Sequence, residues 1–186
     1  GLAFDGDADR CFVIDEKGNP VTPSVVAALV AQREVERARA AGEADPIHVL
    51  HNLLCSRRVA EVISESGAIP VRTKVGHSLI KDQMKETGAI FGGEHSAHYY
   101  FRDFWGADNG MLAALHVLAQ LRSSQRPLSE LTQEFDLYSE SGEINTLVSD
   151  QEAATRAVED QFSAQGEVDY LDGVTISGQS DDGWWW

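Results

Sequence analysis

Pro46-Ile47-His48-Val49-Leu50-His51-Asn52-Leu53-Leu54-Cys55-Ser56 is the stretch from which the fold class is read. The apolar run 47–54 reads as a buried strand. Ser56 then supplies a capping hydroxyl for a helix carrying Val59, Val62 and Ile63, with Gly67 as its stop. Ile69-Pro70-Val71-Arg72 is another short strand. Upstream, Thr22-Pro23 opens a helix, with Pro at the first helical position and Val26, Leu29, Val30 and Arg33 at helical spacing toward Ala41-Gly42. Its charged tail, 33–39, reads as a solvated face. Further back, Cys11-Phe12-Val13-Ile14 is a short strand and 15–20 a turn. Strands and helices alternate, which argues for α/β layers: a mixed sheet with flanking helices, then a partial α+β domain.

Downstream, Leu79, Ile80 and Met84 give the buried stripe of a helix that Gly88 ends. Ala89-Ile90-Phe91 is a strand. Core packing accounts for most rings of Tyr99-Tyr100-Phe101 and Phe104-Trp105. Asp108 is positioned to cap a helix of Met111, Leu112, Leu115, Leu118 and Leu121. Pro127-Leu128 starts a short helix reaching about residue 134. The pattern then restarts with a strand over 137–148 and a capping box at Ser149-Asp150-Gln151-Glu152. A helix follows with Ala154, Val158 and Phe162 at spacing four, and then an Asp172-Gly173 hairpin signal. The domain boundary is expected after residue 134.

At 186 residues the chain can bury a sizeable core. Its net charge of -15 argues against nucleic acid as a partner. No apolar run approaches the roughly 20 residues of a membrane span. Two cysteines, Cys11 and Cys55, give no disulfide framework and point to a reducing cytoplasm. Gly1-Leu2-Ala3-Phe4 reads as a strand already under way, and Trp184-Trp185-Trp186 as an apolar run with nothing after it to cover it. Both are expected of a fragment.

Three loops carry chemistry. In Asp5-Gly6-Asp7-Ala8-Asp9-Arg10, three carboxylates repel one another unless a cation sits among them, and oxygen-only ligands select Mg²⁺ or Ca²⁺. Gly6 and Ala8 let the backbone curl. Arg10 has the wrong sign for the metal and suits an anion beside it. A solvated acidic turn is the plainer alternative. An EF-hand is not, because Arg10 stands where that loop needs glycine. In Lys74-Val75-Gly76-His77-Ser78, a strand-to-helix loop offers a cation and free N–H groups to an anion. The plainer reading is a loop capped by Ser78. In Gly92-Gly93-Glu94-His95-Ser96-Ala97-His98, the glycines allow close backbone approach. If the stretch is extended, Glu94, Ser96 and His98 project together. Carboxylate and hydroxyl suit sugar hydroxyls, and a histidine moves protons near neutral pH.

In this order and spacing, the three loops resemble the metal, central and sugar-binding motifs of the α-D-phosphohexomutase superfamily, most like its bacterial phosphomannomutase/phosphoglucomutase branch. Asp108-Asn109-Gly110 resembles the short motif that follows them. The resemblance implies an enzyme that interconverts hexose 1-phosphate and hexose 6-phosphate, with mannose or glucose phosphate as substrate. It acts through a phosphoserine and a bisphosphorylated sugar. It implies Mg²⁺ on Asp5, Asp7 and Asp9. Arg10 assists the phosphoryl group, Glu94 and Ser96 hold sugar hydroxyls, and Lys74, Gly76, His77 and His98 contact substrate, with His98 in proton transfer. It also implies three parts: 1–20 as the end of a metal-binding domain, 21–134 as the sugar-binding domain, and 135–186 as an incomplete C-terminal domain.

The chain departs from the family pattern at four places. Ala97 replaces a glycine, and its methyl is expected to crowd the sugar loop. His95 replaces a common methionine, which makes an amino-sugar substrate less expected. Leu54 stands where many members carry a lysine, and Asn109 replaces an aspartate. No phosphoserine segment and no C-terminal phosphate loop are present in these 186 residues, so the chain alone is expected to have no mutase turnover. Two other classes compete with this reading. One is a non-catalytic Mg²⁺/Ca²⁺ or carbohydrate-binding module. The other is a phosphatase using Asp5 as nucleophile, which the following Ala8-Asp9-Arg10 fits less well.

Overall fold

The structure is a computed structural model that describes residues 1–179 and the backbone of 180 and 183–185. It opens with β1 (Leu2–Phe4), β2 (Cys11–Ile14) and β3 (Pro20–Val21), followed by α1 (Pro23–Ala40). Next come β4 (His48–Asn52), α2 (Arg57–Glu65), β5 (Ile69–Thr73), α3 (His77–Thr87), β6 (Phe91–Gly93), β7 (Tyr99–Phe101) and β8 (Ala107–Asp108). Then follow α4 (Gly110–Ser124), α5 (Leu128–Leu131), α6 (Gln151–Phe162), β9 (Gly166–Asp169), β10 (Thr175–Ser180) and β11 (Gly183–Trp185). Two compact units divide the chain, 1–139 and 140–186.

In the first unit, β1-β2-β3 is an antiparallel sheet and β5-β4-β6-β7-β8 a mixed one. β4 pairs in parallel with both β5 and β6, and β7 and β8 complete the sheet antiparallel. The connection β4–α2–β5 moves one way across the sheet. The connection β5–α3–β6 returns past β4. Right-handed crossovers in opposite directions put α2 and α3 on opposite faces. The core divides accordingly. Val49, Phe91, Tyr99 and Phe101 pack with α1, α2 and α4, whereas Leu50 and Tyr100 pack with Ile80 and Met84 of α3. Alternation along the strands sends neighbouring residues to the two faces, which gives three layers.

The caps at Thr22 and Ser56 form as the sequence predicts: Thr22 Oγ1 accepts from Val25 N and Ser56 Oγ from Arg58 N. Other expectations are corrected. The tail of α1 is a solvated face only in part, at Glu36, Arg37 and Arg39. Glu34, Val35 and Ala38 are buried, because α1 is enclosed by α2, α4 and β6. Leu79 is exposed, which leaves Ile80 and Met84 as the stripe of α3. The cap of α4 is Asn109, not Asp108, with its Oδ1 accepting from Leu112 N at 2.9 Å. Ser78 caps nothing. It lies inside α3, whose cap position is Gly76 with no side-chain bond.

In the second unit, β9 and β11 flank β10 in an antiparallel sheet, with the Asp172-Gly173 signal in the loop between β9 and β10. The expected strand over 137–148 does not form. Ile144, Leu147 and Val148 stand exposed, and among the described residues no strand pairs with this stretch. A strand needs a pairing edge as well as apolar residues. The cap of α6 is Asp150, one residue after the predicted Ser149, and no residue of α6 is buried. The Trp184 and Trp185 backbone is in β11, while their side chains and Trp186 lie outside the described residues.

Candidate functional site

Because β4, β5 and β6 are parallel, their C-terminal ends share one edge of the sheet. The loops leaving that edge are 53–56, 74–76 and 94–98. The crevice beside a strand from which successive crossovers depart in opposite directions is where open α/β sheets bind ligands. A fourth loop, 5–10, joins them through the backbone. Arg10 forms an isolated antiparallel bridge with His98, and Cys11 N donates to Ala97 O at 3.3 Å. The N-terminus of α4 closes the other side. A Cβ on Gly110 would lie 2.6 Å from Arg10 O and 3.0 Å from Ala8 O, so only glycine permits this contact.

The acidic loop turns at Asp5–Ala8, with Ala8 N donating to Asp5 O. The residue in the left-handed region is Ala8 at φ 60°, not Gly6. One ligand oxygen from each of Asp5, Asp7 and Asp9 lies within 4.8 Å of the others. Arg10 Nε donates to Asp5 Oδ2 at 2.6 Å, and this contact holds the Asp5 carboxyl below the usual carboxylate range. Asp9 is different. Burial, together with the like charges of Asp7, Asp5 and Asp108, pushes it up against the opposing pull of His98. Its Oδ1 is buried and accepts no hydrogen bond. An orphaned carboxylate oxygen in an all-carboxylate donor set fits a hard divalent cation.

The 94–98 stretch is a tight turn rather than an extended strand. Ala97 N donates to Glu94 O, Glu94 N donates to His98 O, and Ala97 sits at φ 70°. Ala97 thus holds a backbone conformation that glycine adopts without strain. Its methyl does not crowd the loop from the outside; it is fully buried in the core. The turn still gathers the expected side chains. Ser96 Oγ lies 2.9 Å from His98 Nδ1, and Glu94 Oε2 lies 3.5 Å from the same nitrogen. His98 Nε2 in turn lies 3.7 Å from Asp9 Oδ1. One imidazole therefore spans the acidic loop and the Glu94–Ser96 pair. Glu94 itself is 2% exposed and accepts from Tyr100 Oη at 2.7 Å and from Asn52 Nδ2 at 3.3 Å. The close approach allowed by Gly93 is to α1: a Cβ there would lie 2.7 Å from Ala27 Cβ.

Lys74, Gly76 and His77 occupy the same sheet edge, where α3 begins with its first N–H groups uncapped by any side chain. Among the described residues, no hydrogen bond or ion pair ties their side chains to loops 5–10 or 94–98. The link from α3 comes one turn later. Lys81 Nζ meets Asp108 Oδ1 at 2.7 Å, and Asp108 groups with Asp9 and His98 within 4.8 Å. Sequence reasoning did not single out Lys81, Asn52 or Ser24 as site residues, and it read Tyr100 as core packing alone. The only sequence signal for them is polarity at positions that periodicity assigns to a strand end or a helix face. Leu54 is exposed at the end of β4, and Asn109 serves as a cap as aspartate would.

Residues 22–138 match the family model for the phosphoglucomutase/phosphomannomutase α/β/α domain III. The chain is 36% identical over 179 residues to a phosphomannomutase of Escherichia coli K12, covering 95% of this chain and 38% of the relative. It is 35% identical over 176 residues to a phosphomannomutase of Methanocaldococcus jannaschii, with the same coverages. The chain thus spans about two fifths of the length of these relatives. A crystal structure of a phosphoglucomutase/phosphomannomutase family protein from Burkholderia thailandensis superposes with a TM-score of 0.74 at 26% identity, over 97% of this chain and 40% of that one. The three loops, the sheet that presents them and these matches agree: the chain belongs to the α-D-phosphohexomutase superfamily, with residues 22–138 as its domain III.

Proposed function

We propose that this chain supplies the metal loop and the sugar-reading domain of a phosphomannomutase/phosphoglucomutase. The reaction is interconversion of hexose 1-phosphate and hexose 6-phosphate, of mannose or glucose, through a bisphosphorylated sugar. The phosphoserine lies outside these 186 residues. The observation that carries the reading is the position of His98, 3.7 Å from Asp9 and 2.9 Å from Ser96. A phosphoryl-handling loop and a hydroxyl-reading loop meet on one proton-carrying side chain.

Mg²⁺ held by Asp5, Asp7 and Asp9 supplies a centre that neutralises charge on a transferring phosphoryl group. The chain's own groups do the rest. Asp5 anchors Arg10 through Nε and leaves the side chain 40% exposed to receive phosphate oxygens. Glu94, fixed by two donors, keeps lone pairs for hydroxyls of the sugar, and Ser96 stands exposed beside it. His98 accepts or returns a proton from the hydroxyl that gains or loses phosphate. Lys74, Gly76 and His77 at the uncapped start of α3 receive the second anionic group. Two buried thiols, Cys11 and Cys55, raised by burial to about 11 and about 12, fit a reducing cytoplasm. Among the described residues, no helix is long and apolar enough to cross a membrane.

The test is direct. Asp7 is exposed, so Asp7→Asn is expected to fold and to lose at least about tenfold in Mg²⁺ affinity by calorimetry. Unchanged affinity moves the metal elsewhere. With the wild-type chain, mannose 1-phosphate or glucose 1-phosphate is expected to shift the NMR signals of Glu94, Ser96 and His98, without turnover. Turnover by these 186 residues, or shifts confined to other loops, refutes the reading.

A further inference from the structure

The sugar-reading loop is held from behind by a polar chain that crosses three elements. At the end of β4, the Asn52 side chain is fully buried and bonded at both ends. Its Oδ1 accepts from His95 N at 3.4 Å and its Nδ2 donates to Glu94 Oε1 at 3.3 Å. At the start of α1, Ser24 is 1% exposed. Its Oγ accepts from Ser56 N at 3.0 Å and lies 2.8 Å from His95 Nδ1. The Ser56 amide takes one lone pair of Ser24, which leaves its second lone pair and its hydrogen to meet His95 Nδ1. Either way, the contact at Nδ1 selects one tautomer of the ring. Tyr100 Oη completes the set by donating to the second oxygen of Glu94.

We propose that Asn52 and Ser24 are positioning residues that set the register of the 94–98 loop, Asn52 by clamping Glu94 and the His95 amide with opposite ends of one buried side chain, and Ser24 by fixing the His95 ring through Nδ1. Asn52 can do this in one orientation only. Its donor end must face a carboxylate and its acceptor end an N–H. Glu94 is thereby held with one donor on each oxygen, Asn52 Nδ2 and Tyr100 Oη, and offers its remaining lone pairs to hydroxyl donors. That consequence rests on the sugar-phosphate reading; the clamp itself does not.

Asn52→Asp tests it, because the shape is kept while the donor facing Glu94 becomes an acceptor. The measurement is amide hydrogen-exchange protection on the 186-residue chain. For Asn52→Asp, protection of residues 94–98 is expected to fall about tenfold at neutral pH and to recover on acidification, when a protonated carboxyl donates again. Strand β5 is expected to keep its protection. Unchanged protection in the loop, or an equal loss throughout the first unit, overturns the proposal. ¹⁵N NMR of the wild-type His95 ring decides it independently, even if the variant fails to fold. A single tautomer is expected in the wild type and a tautomer mixture in Ser24→Ala, and a mixture already present in the wild type overturns it. For mannose 1-phosphate, affinity is expected to fall about tenfold in Asn52→Asp. A wild-type chain that binds neither mannose nor glucose 1-phosphate defeats the function reading and leaves the exchange and tautomer results to decide the clamp.

Discussion

Gly110 shows how much a single missing Cβ does here. It sits where α4 meets the acidic loop, and a methyl group would strike Arg10 O at 2.6 Å. Both sides of that contact are backbone, so neither can rotate away. Gly110→Ala is expected to cost about 1–3 kcal/mol in chemical denaturation and to weaken Mg²⁺ binding by displacing the loop. A variant with wild-type stability and metal affinity would show that the loop is not seated on α4. Gly110 was legible in the sequence as part of a motif, but its reason was not. The atoms it avoids are about a hundred residues away in the chain, Arg10 and Ala8. Asn52 and Lys81 were illegible for the same cause. Each is one polar residue in an element whose apolar pattern is unaffected, and its partners come from other loops.

At the level of elements, local chemistry places the starts of helices to within about two residues, and it can miss their faces. The caps at Thr22 and Ser56 depend on residues within three positions, and they form. The faces depend on neighbours. Along α4 the apolar series Met111, Leu115 and Leu118 is exposed, while Ala113, Ala114 and Val117 are buried. Small residues allow α1 and α4 to approach closely, so the side with less apolar volume becomes the contact. The cap of α4 is testable by itself. Asn109→Ala removes the acceptor for Leu112 N and is expected to lower stability by about 1 kcal/mol, read from the urea midpoint. An unchanged midpoint would mean that water replaces the cap at no cost.

The first unit also carries an acid-labile tie. Glu34 of α1 is 1% exposed and bonded to Arg37 Nε, to Arg37 Nη2 and to His116 of α4, while Arg37 reaches Asp103. Burial alone would raise the Glu34 carboxyl, but the hydrogen bonds and charges of His116 and Arg37 outweigh it and bring it down to about 2. The folded value lies below the ordinary 4.5, so the stabilisation is present above that pH and is lost as pH falls toward 2. It is on the order of 3 kcal/mol for a shift of this size. The stability of the wild-type chain is expected to drop between about pH 5 and pH 2, and Glu34→Gln to flatten that part of the curve. A variant that keeps the full drop would locate the acid sensitivity in other carboxylates.

The sequence by itself determined the alternation of strands and helices, several helix starts and the three polar loops of the candidate site. These follow from apolar period, capping residues and short runs of charged side chains, all set within a few positions of the chain. The tertiary structure alone decided which loops meet. Strand order β5-β4-β6 brings 74–76 and 94–98 to one edge. The bridge between Arg10 and His98 adds the acidic loop, and Lys81 reaches Asp108 from α3. Residues 137–148 mark the same divide from the other side: their apolar content reads as a strand, but a strand exists only where another edge takes its hydrogen bonds. Such contacts join residues tens of positions apart, and no local pattern encodes the direction in which a crossover returns across a sheet.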